Sequence, residues 1–157
     1  TMATFGGQNV GAGKLDRLGQ GLRSAVILGA VYSVIILLVL IVFGQNLVYL
    51  FVDPKETVVV AQARQFLIIN AVFYIPLALV NIVRFLIQGM GFSGFAVFAG
   101  VFEMIARALV GLAFVPLFGY SAACFASPLA WIFADCILIP AFFHCRKKLM
   151  QAGSDQM

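Results

Sequence analysis

A long run of uncharged, apolar residues constrains the fold of this chain more than any other feature of the sequence. Residues 25–43 contain no charged side chain and are rich in Val, Ile and Leu. About 20 consecutive apolar residues suffice for a helix to cross the hydrocarbon core of a bilayer. A helix of a water-soluble protein keeps one polar face, because that face meets water. The run therefore predicts a transmembrane helix.

The composition extends this prediction to the whole chain. Hydrophobic residues make up 63% of the sequence and charged residues 10%, whereas a soluble domain carries about 25% charged residues. We therefore expect membrane lipid to surround the protein. The formal net charge of +4 does not indicate nucleic-acid binding, because the basic residues gather at the ends of apolar runs, as in membrane proteins.

Few residues of this chain are suited to metal binding or catalysis. Cys124, Cys136 and Cys145 have no Cys-x-x-Cys spacing and are interpreted as free thiols. The single histidine, His144, lies beside a basic tail. We therefore expect no metal, no other cofactor and no enzymatic activity.

Turn signals divide the chain into four apolar stretches. The sequence Asp53-Pro54-Lys55-Glu56, the glycine-rich residues 88–94 and the residues 119–121 separate them. The predicted fold is an all-α integral membrane bundle. Its expected parts are a cytoplasmic loop at 1–23, a transmembrane region at 24–148 with helices at about 24–51, 57–89, 95–118 and 121–145, and a cytoplasmic tail at 149–157. Residues 151–157 of this tail are expected to be polar and disordered.

The distribution of Lys and Arg predicts the orientation of these helices. Four crossings place both termini on one side, where seven of the ten basic residues gather: Lys14, Arg17, Arg23, Arg84, Arg146, Lys147 and Lys148. Lys55 and Arg64 lie on the other side, and Arg107 falls within the membrane. The positive-inside rule then predicts cytoplasmic termini in a multi-pass protein of the plasma (inner) membrane.

Glu103 and Arg107 are the most informative polar residues. Each costs about 2.5–3.5 kcal/mol at the centre of a lipid-facing helix on insertion scales. Their spacing of four residues places both on one helix face. Two interpretations are open: the pair lines a substrate or ion path, or it is a structural ion pair that holds neighbouring helices together.

Other polar and proline residues are secondary candidates. Asp135 is either a proton or cation site, or a carboxylate that pairs with Arg84 or reaches the lipid headgroups. Asn81 either lines a cavity or makes an interhelical hydrogen bond. Helix-bending points are predicted at three prolines, namely Pro76, Pro116 and Pro128.

The amino-terminal segment resembles a part of the multidrug and toxin extrusion (MATE) transporters. In that family a Gly-Gln-x-x-Gly-Ala-like stretch lies in a cytoplasmic loop of each half, and this chain offers Gly7, Gln8, Asn9, Gly11 and Ala12. The features that follow keep the family's order: Tyr74-Ile75-Pro76, then Gln88-Gly89-Met90-Gly91, then a Glu-x-x-x-Arg pattern at Glu103 and Arg107, and finally a basic tail.

The resemblance implies that the complete transporter is larger than this chain. Such transporters have two six-helix lobes that open alternately, and they export organic, often cationic, drug-like compounds in exchange for Na⁺ or H⁺. The chain would match the ninth to twelfth helices, so the N-terminal portion of the same transporter would be its partner. Some relatives use acidic residues of the tenth helix for cation binding, whereas residues 66–88 here contain Asn81 and no carboxylate.

Two other functions remain open at this point. A lipid-linked saccharide flippase would share the helix pattern, although it would be expected to have a strongly cationic cavity. A small, non-transporting membrane subunit would also show these helices.

Overall fold

A computed structural model describes residues 1–154, and these residues are almost entirely helical. The elements are α1 (Met2–Gly11), α2 (Asp16–Tyr49), α3 (Thr57–Val72), α4 (Tyr74–Gly89), α5 (Ser93–Leu109), a π-helical turn (Val110–Phe114), α6 (Val115–Phe118) and α7 (Tyr120–Ser154). No strand occurs among these residues. The prediction of an all-α fold is confirmed.

The long helices are apolar enough to cross a membrane. Three spans qualify by length and hydropathy, namely Asp16–Tyr49, Ser93–Phe118 and Tyr120–Ala152. The helices α3 and α4 meet at an angle of 53° and form a fourth span if the bent pair counts as one. The prediction of a bundle of about four transmembrane helices agrees with this arrangement.

The bend between α3 and α4 follows from Pro76. A proline ring collides with the carbonyl group four residues earlier and supplies no N–H group for it, and here that carbonyl belongs to Val72, the last residue of α3. At the break, the N–H of Phe73 donates to the carbonyl of Asn70 at 3.0 Å, which is the tighter i−3 pattern. The break therefore lies three residues before the proline.

The other two predicted bending points differ from each other. Pro116 follows the π-helical turn, so a local widening of the helix precedes this proline, in contrast to the tighter turn before Pro76. Pro128 lies inside α7, which runs without a break from Tyr120 to Ser154. Whether these positions bend during a functional cycle stays a prediction.

The helices extend beyond the boundaries expected from the sequence. Within the stretch assigned to a cytoplasmic loop, residues 2–11 form α1 and α2 begins at Asp16. Gly13 ends α1 with a positive φ of 68°, and the N–H of Lys14 donates back to the carbonyl of Asn9 at 2.9 Å. At the other end α7 continues to Ser154, and residues 155–157 of the predicted tail lie outside the described residues.

The continuation of α7 has a physical cause. Its basic end contains no helix breaker, and it contacts two other parts of the bundle. Arg146 forms an ion pair of 3.6 Å with Asp16 at the start of α2, and the ammonium group of Lys148 lies 5.8 Å from the ring centre of Phe92. The start of α2, the α4–α5 turn and the end of α7 therefore lie at one end of the bundle.

Helix α4 is the centre of the packing. It contacts α1, α2, α3, α5 and α7. The main core cluster is formed largely by apolar residues of α4 and α7, including Val83, Leu86, Ile87, Leu138 and Phe142. By contrast, most large apolar side chains of α2 are exposed on the bundle surface, as expected for a helix that meets lipid.

Helix α1 approaches α4 closely through glycines. A side chain at Gly89 would collide with the backbone of Ala3, and a Cβ atom at Gly6 would lie 3.0 Å from the carbonyl oxygen of Leu86. The two backbones are therefore in direct contact. Part of the glycine-rich character of this segment is explained by helix packing.

We predict that Gly89→Ala destabilises the protein by about 1–3 kcal/mol, the usual cost of an extra group in a well-packed contact. The measurement is thermal unfolding of the purified protein in detergent. Gly100→Ala is the matched control, since nothing lies within 4 Å of a Cβ atom there and alanine favours a helix. Equal unfolding temperatures for Gly89→Ala and the wild type would contradict the close α1–α4 contact.

Candidate functional site

A cluster of charged residues lies where α4, α5 and α7 meet. Arg84 comes from α4, Glu103 and Arg107 from α5, and Asp135 from α7. Glu103 is about 15 Å along the axis from the start of α5, because each helical residue adds 1.5 Å. This depth is near the middle of the span Ser93–Phe118.

Glu103 binds two guanidinium groups at once. Its Oε1 accepts a hydrogen bond from Arg84, and its Oε2 accepts one from Arg107 at 3.2 Å. The Glu103 side chain is 9% exposed. Both carboxylate oxygens are thus used, and the Arg84 contact joins α4 to α5. The Glu103–Arg107 contact is the one that the four-residue spacing suggests.

Arg84 has a partner that its position in the sequence does not reveal. The sequence predicts Arg84 on the same side of the membrane as the termini and as one possible partner of Asp135. In the structure Arg84 is inside the bundle, with a side chain 22% exposed, and its guanidinium group pairs with Glu103. The positive φ of 91° at Gly91 shapes the short turn that brings α4 and α5 alongside each other. Such a long-range contact leaves no periodic signal in the sequence.

Asp135 faces the same cluster without joining its hydrogen bonds. The residue is 8% exposed, and its Oδ1 is buried with no hydrogen-bond partner. It interacts electrostatically with Glu103 and with Arg84. The Nε of Arg84 is also buried and unpartnered. Buried polar atoms of this kind are rare in folded proteins and call for a specific explanation.

The members of the charge cluster differ in how much of each side chain is exposed. The Arg107 side chain is 43% exposed, whereas both carboxylates are nearly enclosed. Guanidinium groups therefore form the accessible side of the cluster. An exposed guanidinium at this depth is costly against hydrocarbon, so this side of the bundle is expected to face water or protein rather than lipid.

The candidate pathway residue Asn81 and the nearby amide Asn70 both hydrogen-bond within their own helices rather than to the cluster. Asn81 is exposed on α4 and donates a hydrogen bond of 2.9 Å to the carbonyl of Leu77 in its own helix. Asn70 is buried and donates to the carbonyl of Phe66 at 2.9 Å. Asn81 lies about one helical turn from Arg84 on α4, and its side chain is exposed.

The family-like segment lies in another part of the bundle. Gly7, Gln8, Asn9 and Gly11 are on α1, and Ala12 caps it. Helix α1 packs against α4 and α2, whereas the charge cluster lies where α4 meets α5 and α7. Asn9 is buried and donates to the carbonyl of Phe5 at 2.8 Å. These contacts give the segment a role in packing.

An apolar cavity of about 500 Å³ lies between α2, α3 and the start of α7. Leu40, Val48, Phe66 and Tyr120 are among its lining residues. The hydroxyl of Tyr120 donates to the carbonyl of Gln62 at 3.0 Å. No charged residue lines this cavity, so it is separate from the charge cluster in chemistry as well as in position.

Comparison with known proteins identifies the family of the chain. Residues 1–113 match the family model described as MatE. The chain belongs to the MatE family. The members of this family are transporters rather than enzymes, so this MatE-family chain is a multi-pass membrane protein of transporter type. Neither a curated protein nor a solved structure matches it.

The MatE match covers only part of the charge cluster. Arg84, Glu103 and Arg107 lie within the matched residues, whereas Asp135 lies beyond them on α7. The ion-paired part of the cluster thus belongs to the region that the family shares.

We predict that Glu103→Gln lowers the free energy of unfolding, because it removes the carboxylate that Arg84 and Arg107 share. The loss should stay below the roughly 3–5 kcal/mol that an uncompensated buried charge costs, because Asp135 can still act as a counter-charge to Arg84. Arg107→Gln is the matched variant and should cost clearly less, since Glu103 then keeps Arg84. Denaturation of the purified protein in detergent measures both. The arrangement is wrong if Arg107→Gln proves the more damaging change.

Proposed function

We propose that this MatE-family chain is the C-terminal part of a secondary active exporter. The exporter carries organic, often cationic, drug-like compounds out of the cell in exchange for Na⁺ or H⁺. The observation that supports this proposal most is the family match over residues 1–113. The intramembrane charge cluster is in keeping with it, because ionisable residues inside membrane spans commonly mark transport pathways.

The proposed mechanism is alternating access. Binding of a coupling ion shifts the populations of inward-open and outward-open states by as much as its affinity for the two states differs. Irregular helix geometry supplies places where such a change can occur. The bend at Phe73 and the π-helical turn at Val110–Phe114 lie on the same two spans that carry Arg84, Glu103 and Arg107.

Within this mechanism, the contacts of Glu103 favour a positioning role. Its two oxygens are both occupied by guanidinium groups, so a transported cation would first have to displace an arginine. Arg107 is the more accessible member and is the candidate for contact with the transport pathway.

Transport by the full-length protein tests the proposal directly. We expect purified protein in liposomes to move a cationic dye such as ethidium when a Na⁺ or H⁺ gradient is imposed, and to stop when an ionophore collapses that gradient. Glu103→Gln should reduce export in cells together with the amount of protein in the membrane. Normal membrane levels with lost export would instead assign Glu103 to transport itself. Dye movement independent of both gradients would overturn the antiporter proposal.

We further propose that both termini are cytoplasmic and that the protein lies in the plasma membrane. Basic residues at the start of α2 and the end of α7 lie at one end of the bundle, as the Arg146–Asp16 ion pair shows. The positive-inside rule assigns such an end to the cytoplasm.

Cysteine labelling tests this orientation. In a background with the three native cysteines replaced by alanine, Lys55→Cys should react with a membrane-impermeant thiol reagent in intact cells. Lys14→Cys should react only after the cells are permeabilised. The reverse pattern would invert the proposed topology.

A further inference from the structure

The charge cluster contains one unused donor and one unused acceptor. The Nε–H group of Arg84 can donate a hydrogen bond, and Oδ1 of Asp135 can accept one. Both atoms are buried and neither has a partner. They belong to residues that interact electrostatically with each other. The cluster therefore holds the parts of a second ion pair that is not made in this arrangement.

The distribution of salt bridges within the cluster indicates the protonation state of Asp135. Glu103 forms salt bridges with two guanidinium groups, whereas Asp135 forms none among the described residues. If Asp135 were anionic, the two arginines and two carboxylates would pair one to one, with Arg84 on Asp135 and Arg107 on Glu103. An enclosed carboxylate without a counter-charge is strongly disfavoured. The observed arrangement, in which both arginines pair with Glu103, is the one expected when Asp135 carries a proton.

The elements that pack on α7 carry few ionisable residues. These elements are α3, α4, α5, the π-helical turn and α6. Arg84 and Tyr74 are the ionisable residues of α4, Glu103 and Arg107 those of α5, and Arg64, which is exposed, that of α3. The π-helical turn and α6 contain none. Of these groups, Glu103 and Arg84 are the ones that act electrostatically on Asp135.

We propose that Asp135 is a proton-binding site and that loss of its proton moves Arg84 from Glu103 to Asp135. The O–H bond breaks, its electron pair stays on the carboxylate, and the proton leaves to water. Arg84 then donates to the new anion, while Arg107 keeps Glu103. This inference deepens the proposed exchange function by assigning a coupling proton to a residue of α7.

The change of partner by Arg84 links the protonation of Asp135 to the packing of the helices. Arg84 is on α4, and its two alternative partners are on α5 and α7. With the proton bound, α4 is tied to α5; without it, α4 is tied to α7. A two-state contact of this kind is what an ion needs in order to favour one conformation over another.

Infrared spectroscopy of the full-length protein in lipid tests the inference without a transport assay. The wild type should show a C=O stretching band of a protonated carboxylic acid that disappears as the pH is raised. Asp135→Asn should lack that band. Asp16→Asn is the control and should retain it, because the Asp16 side chain is 91% exposed and lies at the end of the bundle.

Glu103→Gln gives the second readout. With Glu103 neutral, Arg84 has Asp135 as its remaining carboxylate, so Asp135 should be ionised and the band should be weaker than in the wild type at the same pH. If Asp135→Asn does not accumulate, Asp135→Glu keeps the acid and should shift the frequency of the band.

The outcomes separate this inference from the proposed function. A band that is unchanged in Asp135→Asn, or absent from the wild type at every pH, overturns the proton site. Export driven by Na⁺ in a protein without the band would overturn the inference and leave the exporter proposal standing. A band with the expected behaviour in a protein that exports nothing would support the proton site and reject the exporter.

Discussion

The cost of placing charge inside a bilayer governs the centre of this bundle. Four ionisable side chains meet inside the bundle, and each would be strongly destabilising against hydrocarbon. They are tolerated because α4, α5 and α7 enclose the carboxylates and supply guanidinium groups next to them. Helix α4 is consequently fixed at the middle of the bundle, where it contacts five other elements. The apolar core that surrounds the cluster completes this arrangement, and α2 closes one side toward the lipid.

The parts of the fold that depend on hydrophobicity were predictable from the sequence. Residues 25–43 are apolar on every face, and that property needs no knowledge of neighbouring helices. The Glu103–Arg107 contact was predictable for a similar reason, because helical periodicity alone places residues four apart on one face. Pro76 also acts locally, and its effect on the carbonyl of Val72 places the break within a few residues.

The remaining features depend on contacts between distant segments. Residues 2–11 contain three glycines and have few of the usual signs of a helix, yet they form α1 because packing on α4 overrides weak local propensity. The pairing of Arg84 with Glu103 joins residues 19 positions apart. Their meeting depends on the geometry of the α4–α5 turn, so sequence spacing alone does not predict this pair. The position of Asp135 beside this pair likewise arises only when α7 folds back.

The contact between Gly89 and Ala3 has a mechanical consequence. No side chains separate the two backbones at this contact, so no flexible groups can rearrange between them. We therefore expect α1 and the end of α4 to move as one rigid unit. The compliant point nearest to this unit is the break at Phe73, at the opposite end of α4. A rotation of α4 about that break would therefore move α1 together with α4. A rearrangement among the buried charges of α4 would thereby be transmitted to α1, although α1 packs on α4 and α2 and, among the described residues, not on α5 or α7.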